Sequence, residues 1–287
     1  MLILQAIILG LVQGLTEFIP VSSSAHLIIV PWLFKWTDPA LTSLPFDVAL
    51  HLGTLIAVLW YFREDWQRLI QAGIASVFER RIGDDPNRRL AWLLLLACIP
   101  GGIAGVLLES KIGDWFHTAN QPIHPEAMIV MAVIIIVLGA LLLLAERLAQ
   151  HIRTMQALTL KDALLIGLAQ AFAVFPGVSR SGATITAGLA LDLERESAAR
   201  FSFLLSAPII AGAGAKSLVE IYSGIASGTI AQGELILFPI GVITAAISGY
   251  LTICFLMGYL QRHSNNVFVY YRWALALVII AVALLRG

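Results

Sequence analysis

Two segments of this 287-residue chain read alike, and both set polar and charged residues inside sequence apolar enough for lipid. Residues 10–26 run GLVQGLTEFIPVSSSAH and residues 167–183 run GLAQAFAVFPGVSRSGA. At an offset of 157, Gly10/Gly167, Leu11/Leu168, Gln13/Gln170, Phe18/Phe175, Val21/Val178, Ser22/Ser179 and Ser24/Ser181 coincide. Glu17 and His26 fall in the first copy, Arg180 in the second. Charged groups in an apolar setting need one another or an ionic ligand, so the repeat constrains fold and chemistry together.

Only 13% of residues are charged, against about a quarter in a soluble domain. The uncharged runs 90–108, 127–145 and 235–261 approach or exceed the roughly 20 residues that a spanning helix needs. Runs 48–62, 201–215 and 273–285 are shorter, but aromatic and Arg flanks extend them to the interface. Six spanning helices are therefore predicted. Pro20 in one copy and Pro176-Gly177 in the other break the helix. Two half-helices meeting at a polar turn make a re-entrant hairpin, tolerable at membrane depth only where protein or a wet cavity satisfies its backbone. The fold class is thus all-α integral membrane, with six spanning helices plus two re-entrant helical hairpins. It forms one membrane domain, residues 1–287, of two repeats, 1–150 and 158–287. Three spans per half invert the second repeat relative to the first. Such inverted-topology repeats place a site near the midplane, between the broken elements.

Orientation follows the positive residues. Arg63, Arg68, Arg80, Arg81, Arg88, Arg89, Arg147, Arg153, Lys161, Arg195, Arg200, Arg262 and Arg272 are assigned to one side. Lys35, Lys111, Lys216 and Arg286 fall on the other, and Arg180 on neither. Thirteen against four puts both termini outside the cytoplasm. The 63–89 stretch, with Arg and acids alternating, reads as a solvated cytoplasmic hairpin. Trp32, Trp36, Trp60, Tyr61, Trp66, Trp92, Tyr270, Tyr271 and Trp273 near span ends read as an interfacial belt. The net charge of zero says nothing about nucleic acid, but with no basic tail and no aromatic-basic interleaving no nucleic-acid partner is expected. Cys98 and Cys254, isolated in apolar runs, read as small buried hydrophobes. No CxxC, HExxH or P-loop pattern occurs. The N-terminus lacks the features of a cleaved secretory signal, so the first helix is expected to remain.

Gln13 and Glu17, four apart, share a helix face, and Gly10 and Gly14 leave room for a packed neighbour. A carboxylate inside a span costs roughly 2.5–3.5 kcal/mol and needs a partner. A hard cation, Mg²⁺ or Ca²⁺, on oxygens of Gln13 and Glu17 would serve, and so would an ion pair with Arg180. The spacing leaves both open. Ser23 and His26, three apart, can meet if they open the return half-helix, giving a hydroxyl beside an imidazole for nucleophilic attack; otherwise the serines only cap a helix. Ser22 and Ser24, beside free N–H groups at a helix start, form an anion cradle. Arg180 offers a planar fork for phosphate oxygens. Ser179 and Ser181 flank it, Gly177 and Gly182 admit close backbone approach, and Thr184 adds a hydroxyl one turn on. Together these indicate phosphate. His51 reads as a packing residue and Asp47 as a helix cap.

The motifs QGLTEFIPVSSSAH at 13–26 and PGVSRSGAT at 176–184, with FSFLLSAP at 201–208 and YYR at 270–272, carry a resemblance over nearly the whole chain. It resembles the bacterial undecaprenyl-pyrophosphate phosphatase family linked to bacitracin resistance. The resemblance implies an enzyme of the bacterial plasma membrane that removes the terminal phosphate of a polyprenyl diphosphate lipid. The product is the monophosphate carrier lipid for cell-wall synthesis, and the site faces the periplasm or cell exterior. It further implies Gln13 and Glu17 in the (Glu or Gln)-x3-Glu motif, Ser23 and His26 as the catalytic serine–histidine element, and Ser179, Arg180, Ser181 and Thr184 as the phosphate grip. Either Ser23 attacks with His26 handling its proton, or water attacks with His26 as base. Gln13 is the neutral variant, giving a divalent cation one fewer anionic ligand, and Ala25 stands where glycine is common. A homodimer stays open. The alternative is a polyprenyl-phosphate flippase or another inverted-repeat transporter, since architecture alone does not give function. A second lipid-phosphatase class is excluded because its Lys-x6-Arg-Pro element is missing.

Overall fold

The computed structural model describes residues 1–116, 125–226 and 235–286. Its helices are α1 Leu2–Phe18, α2 Ser23–Phe34, α3 Leu44–Tyr61, α4 Arg63–Phe78, α5 Pro86–Phe116 and α6 Pro125–Leu148. They continue as α7 Leu160–Ala171, α8 Arg180–Ala190, α9 Arg195–Ala226, α10 Leu237–Leu260 and α11 Asn266–Arg286. Among the described residues, six helices are long and apolar enough to cross a membrane: α3, α5, α6, α9, α10 and α11. These are the six runs expected, five of them lengthened by their flanks and the 235–261 run trimmed to Leu237–Leu260. The protein is a multi-pass, all-helical membrane protein.

The two repeated segments form the short elements. Helix α1 stops before Ile19-Pro20, where Ile19 is extended, and α2 starts three residues after Pro20. Helix α7 passes through a 3-10 turn, Phe172–Val174, before the Pro176-Gly177 break and α8. The four helices have 17, 12, 12 and 11 residues. Each pair is a helix–break–helix unit, and the helices of a pair pack on one another.

Each pair leans mainly on a helix of the other half: α1 on α10, α7 on α5. Glycine makes both approaches possible. A Cβ on Gly14 would lie 2.0 Å from Ser248 Oγ and 2.6 Å from Gly249 N of α10. A Cβ on Gly167 would lie 2.3 Å from the Ala97 carbonyl oxygen of α5. Beneath α1, Phe18 meets Phe203 edge-on at 5.2 Å, and Phe62 adjoins the same ring. Burying each such side chain contributes roughly 1.5–3 kcal/mol, and this cluster sits directly behind Glu17.

Several of the described connections meet at one end of the bundle. Arg195 pairs with Glu146 at 2.5 Å and Arg200 with Asp65 at 2.6 Å. Arg89 donates to Leu158 O at 2.5 Å and Asn265 donates to Glu146 at 2.9 Å. At the other end Arg286 donates to the carbonyls of Trp32 and Leu33. The Lys111 side chain lies outside the described residues.

The 63–89 stretch, expected as a solvated hairpin, is mostly exposed, and its charge-free core, 69–78, forms most of α4, turning Leu69 and Ser76 inward, with Ser76 accepting from Trp92 of α5. Three expectations need correcting. Arg272 does not belong to the charged end, because α11 begins at Asn266 and carries it fully inside. Cys254 faces outward from the bundle. Ser43, not Asp47, caps α3, its hydroxyl accepting from Phe46 N.

Candidate active site

Both breaks end on a serine forced into left-handed backbone, Ser22 at φ 77° and Ser179 at φ 69°. A non-glycine residue seldom adopts that region, and such strain concentrates at functional sites. Each serine then caps the next helix: Ser22 Oγ accepts from Ala25 N at 3.4 Å, Ser179 Oγ from Gly182 N at 3.0 Å. Each also meets the serine two residues on, Ser24 at 3.3 Å and Ser181 at 3.2 Å. The residue between the matched serines is Ser23 in one copy and Arg180 in the other. The two breaks share a scaffold and differ at the position where chemistry is expected.

Glu17 joins them. Its Oε1 receives the guanidinium of Arg180. Its Oε2 accepts from Ser23 Oγ at 2.5 Å and from Gln13 Nε2 at 3.0 Å, with His51 Nε2 at 3.5 Å. The carboxylate is almost wholly buried, so this ring of donors supplies the stabilisation that lipid would deny it. Arg180 also donates to Ser206 O at 3.2 Å, and Ser181 donates across to Ile19 O at 3.2 Å.

These groups open on a cavity of about 270 Å³. Glu17, Ser23, Ser24, Ser179, Arg180 and His51 make its polar end. Its other walls are mainly apolar, including Ile28 of α2, Val48 of α3, Gly105 of α5 and Ile209 of α9, with Asp47 and Gln170 among them. A larger cavity of about 440 Å³ lies at the charged end, where Asp65 binds both Arg68 and Arg200.

The remaining predicted site residues stand behind this surface. Gln13 backs Glu17; Ser22 and Ser181 brace the breaks. Thr184 turns its hydroxyl to Ser202 of α9 at 2.6 Å. Gly182 makes room not for a ligand but for a side chain, since a Cβ there would fall 2.2 Å from Arg272 Nη2. The contact expected between Ser23 and His26 does not form. His26 Nδ1 donates to Ser22 O at 2.6 Å, so its Nε2 in the neutral ring accepts from Tyr271 Oη at 2.7 Å, with the rings stacked. Both nitrogens are occupied, and Ser23 turns to Glu17 instead.

The cation expectation can be tested on the donors. Among the described residues no cluster of three His, Cys, Asp or Glu is present. Both Glu17 oxygens are engaged, and Gln13 presents its nitrogen to Glu17, leaving a buried Oε1 without a partner among the described residues. A hard cation takes six or more oxygens. As arranged, these residues do not fit a cation held by the chain alone.

Four residues at or behind the site were not singled out by the sequence. His51 lies on the cavity wall, fixed by Nδ1 donating to Asp47 O at 2.7 Å. Gln170 also lines the cavity, buried, with neither amide atom partnered among the described residues. The one available signal was its coincidence with Gln13 in the repeat. Tyr271 and Arg272 of α11 reach the breaks from behind; their YYR motif marked the family resemblance but not this contact.

The chain matches the family model described as "Bacitracin resistance protein BacA" over residues 6–278. It is 48% identical over 281 residues to an undecaprenyl-diphosphatase of Thermomicrobium roseum, covering 97% of each chain. It is 46% identical over 286 residues to that of Moorella thermoacetica, covering 100% of each. Against that of Desulforudis audaxviator it is 45% identical over 283 residues, covering 99% of this chain and 98% of the other. The match spans both helix breaks and every helix that positions Glu17, Ser23 and Arg180, and on that ground the chain belongs to the BacA bacitracin-resistance family.

Proposed function

We propose that this protein is an undecaprenyl-diphosphate phosphatase, hydrolysing the terminal phosphate of a polyprenyl diphosphate to leave the monophosphate carrier lipid for cell-wall synthesis. The observation that carries the reading is Glu17, whose one carboxylate holds both Arg180 and the Ser23 hydroxyl at the polar end of a mainly apolar cavity. A lipid diphosphate has the same division of polarity, and relatives of the same length bear that activity in their names.

Ser23 Oγ attacks the terminal phosphorus as its proton passes to Glu17 Oε2, with which it already shares a 2.5 Å hydrogen bond. The bond from that phosphorus to the bridging oxygen breaks, and the prenyl monophosphate leaves. Glu17 gives that proton up to the departing monophosphate; water then cleaves the phosphoserine, its proton going to the freed carboxylate and from there back to Ser23 Oγ, and inorganic phosphate departs. Arg180 and the N–H groups opening α2 and α8 neutralise charge on the transferring group. His26 holds the Ser22-Ser23 turn and does not take the serine proton. A divalent cation would be held chiefly by the diphosphate oxygens beside Glu17, and would supply further neutralisation of charge there. The break regions enter the membrane as re-entrant hairpins, and the cavity faces the periplasm or exterior, as the distribution of Lys and Arg supports even with Arg272 removed from the count.

Detergent-solubilised protein given a polyprenyl diphosphate should release inorganic phosphate, assayed with and without EDTA. No release ends the phosphatase reading. Quenched reactions should carry phosphate on Ser23; full turnover by Ser23→Ala ends the covalent route.

A further inference from the structure

Arg272 is fully buried on α11, yet no carboxylate pairs with it among the described residues. Its hydrogen bonds go to backbone. Nε donates to Pro20 O at 2.5 Å in the first break, and Nη2 donates to Val178 O at 3.2 Å in the second. Nη1 has no partner among the described residues. A buried cation held only by carbonyls is costly, so its retention calls for a function that an apolar residue of similar size could not serve. The contacts indicate that function. Pro20 lies three residues before Ser23, and Val178 two residues before Arg180. One planar, rigid guanidinium fork therefore spans the two breaks, two residues ahead of the strained Ser22 and one ahead of the strained Ser179.

The neighbouring residue adds to the grip. Tyr271 donates to His26, whose other nitrogen holds Ser22 O. The absent side chain at Gly182 leaves the space that Arg272 Nη2 fills. Consecutive residues of α11 thus reach the first break at two points and the second at one.

We propose that Arg272 is a positioning residue that fixes the separation and mutual orientation of the Ser23 break and the Arg180 break. It acts through the backbone and does not touch the substrate. Its effect on catalysis rests on the phosphatase reading above, whereas its joining of the two breaks does not. Misplacing reacting groups by about 1 Å can cost about a hundredfold in rate, so loss of the strut acts on turnover while the binding groups stay in place.

The test compares the wild-type protein with Arg272→Met and Arg272→Lys, purified in detergent. Amide hydrogen exchange in Arg272→Met should quicken in peptides covering 19–26 and 176–184 together, by about tenfold or more, with α10 peptides unchanged. In phosphate-release assays kcat should fall about a hundredfold with KM held within about threefold. Lysine reaches one carbonyl but cannot span both, so Arg272→Lys should lie between the two, with an unchanged melting midpoint. The proposal is overturned if neither break or only one loosens, if kcat is unaltered, or if KM and melting midpoint change along with kcat in both variants. Should Arg272→Met fail to fold, Arg272→Lys decides alone: wild-type exchange in both breaks refutes the strut. If no form releases phosphate, the phosphatase reading fails, and the exchange data still decide whether Arg272 joins the breaks.

Discussion

Replacing Glu17 with glutamine separates the two services its carboxylate performs. The amide is nearly isosteric, so packing against Phe18 and α10 persists, but the negative charge beside Arg180 is gone. The carboxylate is 3% exposed and the Arg180 side chain 14%. Breaking a buried pair by removing one partner costs about 3–5 kcal/mol. At roughly 2–4 °C per kcal/mol for a protein of this size, Glu17→Gln should melt about 6–20 °C below wild type in detergent. Inorganic phosphate should restore part of that loss, since an anion now answers the unpaired guanidinium. Turnover should fall by about 10²–10⁴, the usual contribution of a positioned base. A Glu17→Gln/Arg180→Met double variant should regain stability without regaining activity. Differential scanning fluorimetry with and without phosphate, run beside a phosphate-release assay, measures all of this. Turnover within tenfold of wild type, or a melting point that does not move, refutes the reasoning that one carboxylate is both counter-ion and base.

Other substitutions probe the scaffold. Gly14→Ala sets a methyl against Ser248 Oγ and the Gly249 backbone; overpacking of about 1–3 kcal/mol should lower the melting midpoint by several degrees. Gln170→Leu removes a buried amide with no partner among the described residues. It should raise the midpoint, because such a group costs about 1–3 kcal/mol, and raise KM, because the amide faces the cavity. An unchanged KM counts against a substrate role. Tyr271→Phe keeps the ring stack on His26 but removes one donor, so kcat should fall less than about tenfold; a larger loss measured by phosphate release means His26 does more than hold a turn.

What the sequence disclosed depended on how local its physics was. The six spans were legible because each is an apolar run whose length alone marks it. The meeting of Glu17 with Arg180 was legible through the repeat, which required two buried charges of opposite sign to find a partner. Helix α4 was hidden because the acids and arginines at its ends overshadow ten uncharged residues between them. The choice of Glu17 over His26 as the partner of Ser23 was not readable. It depends on the left-handed turn at Ser22, which sends the serine toward α1 and the imidazole toward α11. Arg272 misled because it follows two tyrosines at the start of an apolar run, the usual look of an interfacial flank. Only the fold brings it to Pro20, 252 residues away. His51 gave no signal beyond being a histidine in a span.

The cross-wise seating of α1 on α10 and α7 on α5 has a consequence for synthesis. While the ribosome is still making the middle of the chain, Glu17 has been produced without its arginine and Gly14 without the groove it fits. The leading third must wait, half-housed, until the final hundred residues emerge. A chain severed near residue 155 should therefore assemble only when both fragments are made in one cell, each serving as the mould in which the other sets.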